Sequence, residues 1–137
     1  MGLGDKKLIT LKEIEGVISP HDGFVKTEMQ KRKEALQYVK DVSELADYIG
    51  GEVVNLGLSE DWAIKREIFP GVEIVFAYNH ADEEFPSNLR VFYSGERVRG
   101  VHGEDLAELT IACVNHMLRY VRETSPQKKL PEICYRV

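Results

Sequence analysis

Residues 62–78 read WAIKREIFPGVEIVFAY, two runs of strongly β-forming residues on either side of a Pro-Gly pair. Pro70-Gly71 is typical of a tight turn, because proline presets the backbone of one corner and glycine tolerates the next. A connection this short joins antiparallel strands, since a parallel crossover needs about a dozen residues or more. The stretch therefore predicts a β-hairpin.

Alternating apolar patterns continue on both sides of this hairpin and extend it into a predicted antiparallel meander of four to five strands. Ser94-Gly95 is predicted to turn the chain between the last two strands. The predicted strands are Glu52–Leu58, Trp62–Ile68, Val72–Tyr78, Asn88–Tyr93 and Glu96–Val101.

Helical spacing of apolar residues occupies the chain before the sheet. A capping-box pattern at Thr10 opens a first helix that is broken by Pro20 and Gly23. A second helix is predicted from about Lys26 to Lys40, and a third starts at Asp41. The chain is thus predicted to begin with helices and to continue with strands.

The clearest helix, Glu104 to Glu123, follows the sheet. Its apolar arc is wider than the usual stripe, which indicates that it is covered on two sides. The sheet is one cover, and the N-terminal helices or a second subunit would be the other. Residues 124–137 contain two prolines and are predicted to form an extended tail. The fold class is α+β in a single domain, residues 1–137, with N-terminal helices, the meander and a long C-terminal helix packed on the sheet.

Charge and composition restrict the function classes. The net charge of −5 carries no basic footprint, so we expect no nucleic-acid partner. The N-terminal residues MGLGDKKLITLKE have no apolar signal segment, and no run approaches the roughly 20 apolar residues of a membrane span. Cys113 and Cys134 lack metal-ligand spacing and are expected to be reduced. We therefore expect a cytoplasmic protein that does not associate with membranes.

Three arginines lie on the two last predicted strands. With Ser94-Gly95 as a two-residue turn, Arg90 faces Arg99 and Phe92 faces Arg97 on the solvent side of the sheet. Like charges directly opposite one another are destabilising unless an anion lies between them. Arg90, Arg97, Arg99 and Phe92, with His102 nearby, therefore form a candidate anion- or partner-binding face. The anion is the acidic run at 82–84, a partner's acidic surface or a small ligand.

The segment NHADEEFPSN, residues 79–88, joins two predicted strands and offers a second candidate site. His80, Asp82 and Glu83 could hold a metal such as zinc or iron. In the other interpretation this is an acidic loop whose carboxylates, Asp82, Glu83 and Glu84, pair with the arginine face. Nucleophile elbows and phosphate-binding loops are absent from the sequence, so no pattern asks for an enzyme or a cofactor beyond a possible metal ion.

The stretch GVEIVFAYNHADEEFPSNLRVFY resembles an uncharacterised prokaryotic family, the domain of unknown function family 3786. Asp82-Glu83-Glu84-Phe85-Pro86 matches the family's characteristic turn between two strands, with Ala81 in place of its glycine. Residues 101–107 resemble the family's entry into its last helix. The resemblance implies no established activity, so it assigns no catalytic residues to this chain.

These observations favour a non-catalytic binding or protein-interaction module that uses the arginine-lined face and associates as a homodimer or with another protein. The alternative is a metal-binding protein or metal-dependent enzyme that uses the loop with His80, Asp82 and Glu83. A structural subunit whose features all serve folding is a third possibility.

Overall fold

The hairpin at residues 62–78 lies at the centre of the sheet in the computed structural model of the protein, which describes residues 7–137. The four strands are antiparallel and follow one another in the sheet in chain order, which confirms the predicted meander. They are β1 (Glu52–Val54), β2 (Trp62–Phe69), β3 (Val72–Asn79) and β4 (Asn88–Ser94).

Helices precede and follow the sheet, which confirms the α+β class. They are α1 (Leu11–Glu15), α2 (Pro20–Arg32), a 3₁₀ helix at Lys33–Tyr38, α3 (Val42–Ile49) and α4 (Gly103–Thr124). In the described part of the chain, no helix is both long enough and apolar enough to span a bilayer.

The second helix begins earlier than its apolar spacing predicts, at Pro20 rather than Lys26. Ser19 caps it, because the Ser19 hydroxyl accepts a hydrogen bond from the Asp22 amide at 3.2 Å. Proline is tolerated at the first helical position, where the backbone has no intrahelical partner for its missing donor. Ile18, predicted to lie on the first helix, is therefore left outside both helices.

The core lies between the helices and one face of the sheet, which we call the helix-side face. Alternate residues of the strands form it: Trp62, Ile64, Ile74, Phe76, Tyr78, Leu89 and Tyr93. The buried Tyr93 hydroxyl bonds Thr110 Oγ1 at 2.7 Å and fixes the sheet to α4. Because α4 also contacts α1, α2 and α3, the N-terminal helices provide the second cover that its wide apolar arc requires.

The predicted fifth strand, Glu96–Val101, is wrong: this segment contains a 3₁₀ turn, Val98–Gly100. Gly95 adopts a φ of 111°, and the Arg97 amide donates to the Gly71 carbonyl at 2.9 Å, so the chain crosses the β2–β3 turn instead of folding back along β4. Beside β4, Ile9 pairs with Tyr93 through two backbone hydrogen bonds of 2.8 and 2.7 Å.

The segment after α4 is held against that helix. Arg122 Nη1 donates to the carbonyl oxygens of Cys134 and Val137, both at 3.0 Å, and a 3₁₀ turn forms at Glu132–Tyr135. Both cysteines are free and buried, and burial raises the pKa of each thiol, Cys113 and Cys134. The tail predicted to be extended therefore carries a turn and contributes to the core.

Candidate functional site

Arg90 lies on the outer face of the sheet, which is the face turned away from α2 and α4. Its cross-strand neighbour is Ala77 of β3, and Ala77 is in turn paired with Ala63 of β2. These small side chains leave room for the Arg90 side chain to reach the β1–β2 loop, where Nη2 donates to the Leu58 carbonyl at 3.2 Å. A second bond, at 3.4 Å, reaches Asn79 Oδ1. The guanidinium is thus engaged by its own chain.

The other predicted members of the arginine face lie elsewhere, apart from Phe92, whose ring centroid is 6.0 Å from Arg90 Cζ. Arg99 Nη1 donates to the Glu13 carbonyl of α1 at 3.2 Å. Arg97 packs its aliphatic chain on the β2–β3 turn, and His102 is exposed ahead of α4. Because the predicted fifth strand does not exist, Arg90 does not face Arg99. The like-charge argument for a bound anion therefore loses its premise.

The β3–β4 loop, residues 80–87, is closed by its own residues. Asp82 Oδ1 accepts hydrogen bonds from the Glu84 and Phe85 amides at 2.8 and 2.7 Å, and the Asp82 amide donates to the Phe85 carbonyl at 2.9 Å. Among residues 7–137, no ion pair joins Asp82, Glu83 or Glu84 to an arginine. The acidic run therefore does not neutralise the arginines, and the neighbouring Phe85 side chain is 66% exposed.

The predicted metal ligands are not brought together. The amide of His80 donates to Asp61 Oδ2 at 2.6 Å, and its imidazole packs edge-on against Tyr78 with the ring centroids 5.0 Å apart. Asp82 is committed to its local turn. Within the described residues, no group of three or more histidine, cysteine, aspartate or glutamate side chains is placed to hold a metal ion.

The α1–α2 loop, residues 16–19, exposes apolar side chains, whereas the β3–β4 loop exposes charged ones. Val17 and Ile18 are adjacent aliphatic residues that are 88% and 90% exposed, the largest exposures among the large apolar side chains of the described chain. Single exposed apolar residues are ordinary, whereas clustered ones mark contact surfaces. Phe24, on the first turns of α2, is also 48% exposed.

One carboxylate joins the two ends of this loop. Glu15, the last residue of α1, bonds the Ser19 hydroxyl at 2.5 Å through Oε1 and His21 Nδ1 at 2.6 Å through Oε2. The hydrogen bond from Ser19 lowers the pKa of Glu15, and the bond and charge of His21 lower it further. Gly16 adopts a φ of 102°, which favours glycine, and this allows the chain to leave α1 sharply. We call these contacts the Glu15 clamp.

The clamp is also in contact with the start of α4. Gly103 is the first residue of that helix, and a Cβ at position 103 would collide with the Glu15 carboxylate. Negative charge at a helix N-terminus is favourable, because the unpaired amides and the helix dipole are positive there. The Glu15 carboxylate therefore joins the α1–α2 loop to α2 and lies beside the N-terminus of the C-terminal helix.

A buried carboxylate on the outer face of the sheet was not predicted from the sequence. Glu73 is 2% exposed, accepts a hydrogen bond from Ser94 Oγ at 2.8 Å and lies 3.3 Å from Lys65 Nζ. Lys65 also reaches Glu52 at 2.8 Å, and this bond raises the pKa of Lys65. The signal was present as a single acidic residue within VEIVFAY. Because the Glu73 carboxylate is paired with Lys65 and hydrogen-bonded to Ser94, these residues stabilise the sheet.

A family model described as a domain of unknown function, DUF3786, matches residues 4–116. The chain belongs to this family. The match confirms the resemblance seen around Asp82–Pro86 and extends it over α1, α2, α3, the whole sheet and α4 as far as His116. Both the α1–α2 loop and the β3–β4 loop thus lie inside the DUF3786 domain. Comparison with curated proteins and with solved structures gave no match.

Proposed function

We propose that this DUF3786 protein is a non-catalytic protein-interaction module that inserts Val17 and Ile18 into an apolar pocket of a partner protein. The observation that carries the proposal is the near-complete exposure of these two adjacent aliphatic side chains on a loop whose ends are fixed by one carboxylate. A second copy of the chain is one candidate partner.

The magnitude of the available binding energy supports this function. Moving a valine or isoleucine side chain from water into an apolar site contributes about 1.5–3 kcal/mol, so the pair offers about 3–6 kcal/mol. The Glu15 clamp holds the loop before binding, which reduces the conformational entropy that association would otherwise cost. The two residues are thus suited to act as the anchors of a small interface.

The proposal places the contact away from the arginine face that the sequence suggested. Arg90 is engaged on the outer face of the sheet, whereas Arg99 bonds the Glu13 carbonyl of α1, the helix that leads into the α1–α2 loop. Arg99 thus keeps a role near the proposed contact, as a positioning group rather than as an anion receptor.

The test places a photo-crosslinking amino acid at position 18 and, as a matched control, at position 53. Val53 is 46% exposed on β1, so its site is also open to solvent. We expect one discrete protein adduct from position 18 in cells and none from position 53. The same adduct should weaken when Val17→Ser is combined with Glu15→Ala, which frees the loop.

Sedimentation velocity with Val17→Ser/Ile18→Ser and with Val53→Ser decides whether the partner is a second copy, because only the double variant should then dissociate. Equal crosslinking from positions 18 and 53 would refute the proposal. Cosedimentation of the wild-type protein, but not of the double variant, with phospholipid vesicles would also refute it, because the anchors would then insert into lipid.

A further inference from the structure

The outer edge of β4 lines an apolar groove. β4 is the last strand of the sheet, and a cavity of about 350 Å³ lies between it and α2. Six consecutive residues, 88–93, line this cavity. Because successive side chains of a strand point to opposite faces, an unbroken run of lining residues means that the groove follows the strand's backbone edge.

The backbone of this edge is paired at one residue. Tyr93 exchanges both of its backbone hydrogen bonds with Ile9. Along an antiparallel strand, the backbone groups of alternate residues point to opposite edges. Because Tyr93 points its amide and carbonyl away from β3, Leu89 and Val91 do the same. Within residues 7–137, no backbone hydrogen bond from another element reaches Leu89 or Val91. Four polar backbone groups therefore line the groove in a form suited to a further strand.

We propose that this edge binds an extended segment of a partner protein, which adds to β4 as an antiparallel strand. The segment around Ile9 already binds this edge in the same way. Ile9 pairs with Tyr93 through the backbone and is only 3% exposed. The partner segment continues this interface along Leu89 and Val91. Strand addition takes its affinity from main-chain bonds and its selectivity from alternate side chains.

The groove specifies the chemistry of the partner segment. Partner residues opposite Leu89 and Val91 point to the helix-side face, where the wall of the groove includes Leu11, Val25 and Met29. Both positions therefore require aliphatic side chains. The residue between them points to the outer face beside Arg90, whose guanidinium is turned across β3 to the Leu58 carbonyl, so the groove sets no charge at this position. The segment should carry aliphatic side chains at alternate positions.

A second copy of β4 fits the edge poorly. Pairing Leu89 with Val91 of another copy would place Arg90 directly opposite Arg90, which is destabilising. Centring the pairing on Val91 would instead require the outward groups of Tyr93, which Ile9 already uses. Centring it on Leu89 would place Ser87 opposite Val91, where the groove requires an aliphatic side chain. All three registers therefore disfavour a second copy.

The test titrates ¹⁵N-labelled protein with the acetylated and amidated peptide Thr-Val-Glu-Val-Thr and follows the backbone amides by NMR. We expect saturable shifts at Leu89 and Val91 in the millimolar range or below. Methylating the peptide nitrogens that face the edge should weaken binding at least tenfold, because the side chains stay the same while the main-chain donors are lost.

Two protein variants complete the test. Val91→Pro removes an outward donor at an edge position where proline is compatible with a strand, so it should abolish binding, and the methylated peptide provides the same information if this variant does not fold. Val17→Ser/Ile18→Ser should bind the peptide like the wild type, which separates this inference from the proposed function. Absence of saturable shifts at Leu89 and Val91, equal binding of the methylated peptide, or a wild-type dimer that protects this edge would each overturn the inference.

Discussion

The α1–α2 loop and the β3–β4 loop are each held by the hydrogen bonds of one carboxylate, but the two carboxylates differ in position. The first uses a carboxylate from outside the loop, Glu15, which also packs against the start of α4, and it exposes two aliphatic side chains. The second uses its own Asp82 to bond two amides within the loop, and it exposes charge. The first loop is therefore bonded at both ends while it displays apolar residues, whereas the second is bonded within itself while it displays charge.

The comparison shows which exposed groups are informative. Exposed carboxylates such as Glu83 and Glu84 are well solvated and gain little from a partner, so their presence indicates little about function. Exposure of aliphatic side chains to water is unfavourable, and a cluster of them marks a contact surface. The charged loop attracts attention in the sequence, whereas the apolar loop is the better indicator of function in the structure.

The largest expected effect is on the Glu15 clamp. Glu15→Ala removes the acceptor of Ser19 and His21 and the negative charge at the start of α4, and we expect a loss of about 2 kcal/mol in the free energy of unfolding. Urea unfolding measures this loss. Hydrogen exchange should also become faster at residues 16–19, since the loop loses the bond that joins its ends.

Glu108→Ala is the matched control for this variant, because Glu108 is an exposed carboxylate on α4. It should change the free energy of unfolding by less than about 0.5 kcal/mol. If Glu15→Ala is no less stable than Glu108→Ala, the clamp does not hold the loop, and the rigidity on which the proposed function depends is lost.

A smaller effect follows from the lowered pKa of Glu15. A carboxyl group whose pKa is lower in the folded state stabilises the fold above its unfolded pKa, here 4.5, and that contribution is lost as the pH falls through the folded pKa. The wild type should therefore exceed Glu15→Gln in stability above about pH 4.5, and the difference should shrink as the pH falls below it. Urea unfolding of both proteins between about pH 7 and pH 3 measures this difference. The other carboxylates contribute equally to the two proteins, so their effects cancel when the free energies of unfolding are subtracted. A difference that stays constant to the acid limit would contradict the assignment.

Sequence reasoning succeeded where local signals and tertiary contacts agree. Pro70-Gly71 fixes the hairpin by its own dihedral preferences, and the apolar period of α4 needs no neighbour to be recognised. It failed at Glu96–Val101, because the fate of that alternating segment depends on a positive φ at Gly95 and on Ile9, more than eighty residues earlier, which pairs with β4.

The candidate site was harder to predict for the same reason. The prediction that Arg90 faces Arg99 depended on the pairing of β4 with a fifth strand, and that strand does not form. Ser19-Pro20 is a recognisable helix start, and that interpretation would have left Ile18 outside the helices. The proximity of the Glu15 clamp to the start of α4 could not have been read from the sequence, because it depends on how α1 packs against α4.

The smallest expected effect is on the β3–β4 loop and completes the comparison. Asp82→Ala removes two hydrogen bonds to the amides of Glu84 and Phe85, but water can replace both bonds at this exposed turn, so the loss should be at most about 1 kcal/mol. Hydrogen exchange should become faster at those two amides and stay unchanged at residues 16–19. Glu83→Ala, which removes a neighbouring charge but no turn bond, should leave both regions unchanged. Faster exchange in the α1–α2 loop of Asp82→Ala would mean that the two loops are coupled, and the independence on which their contrast depends would be lost.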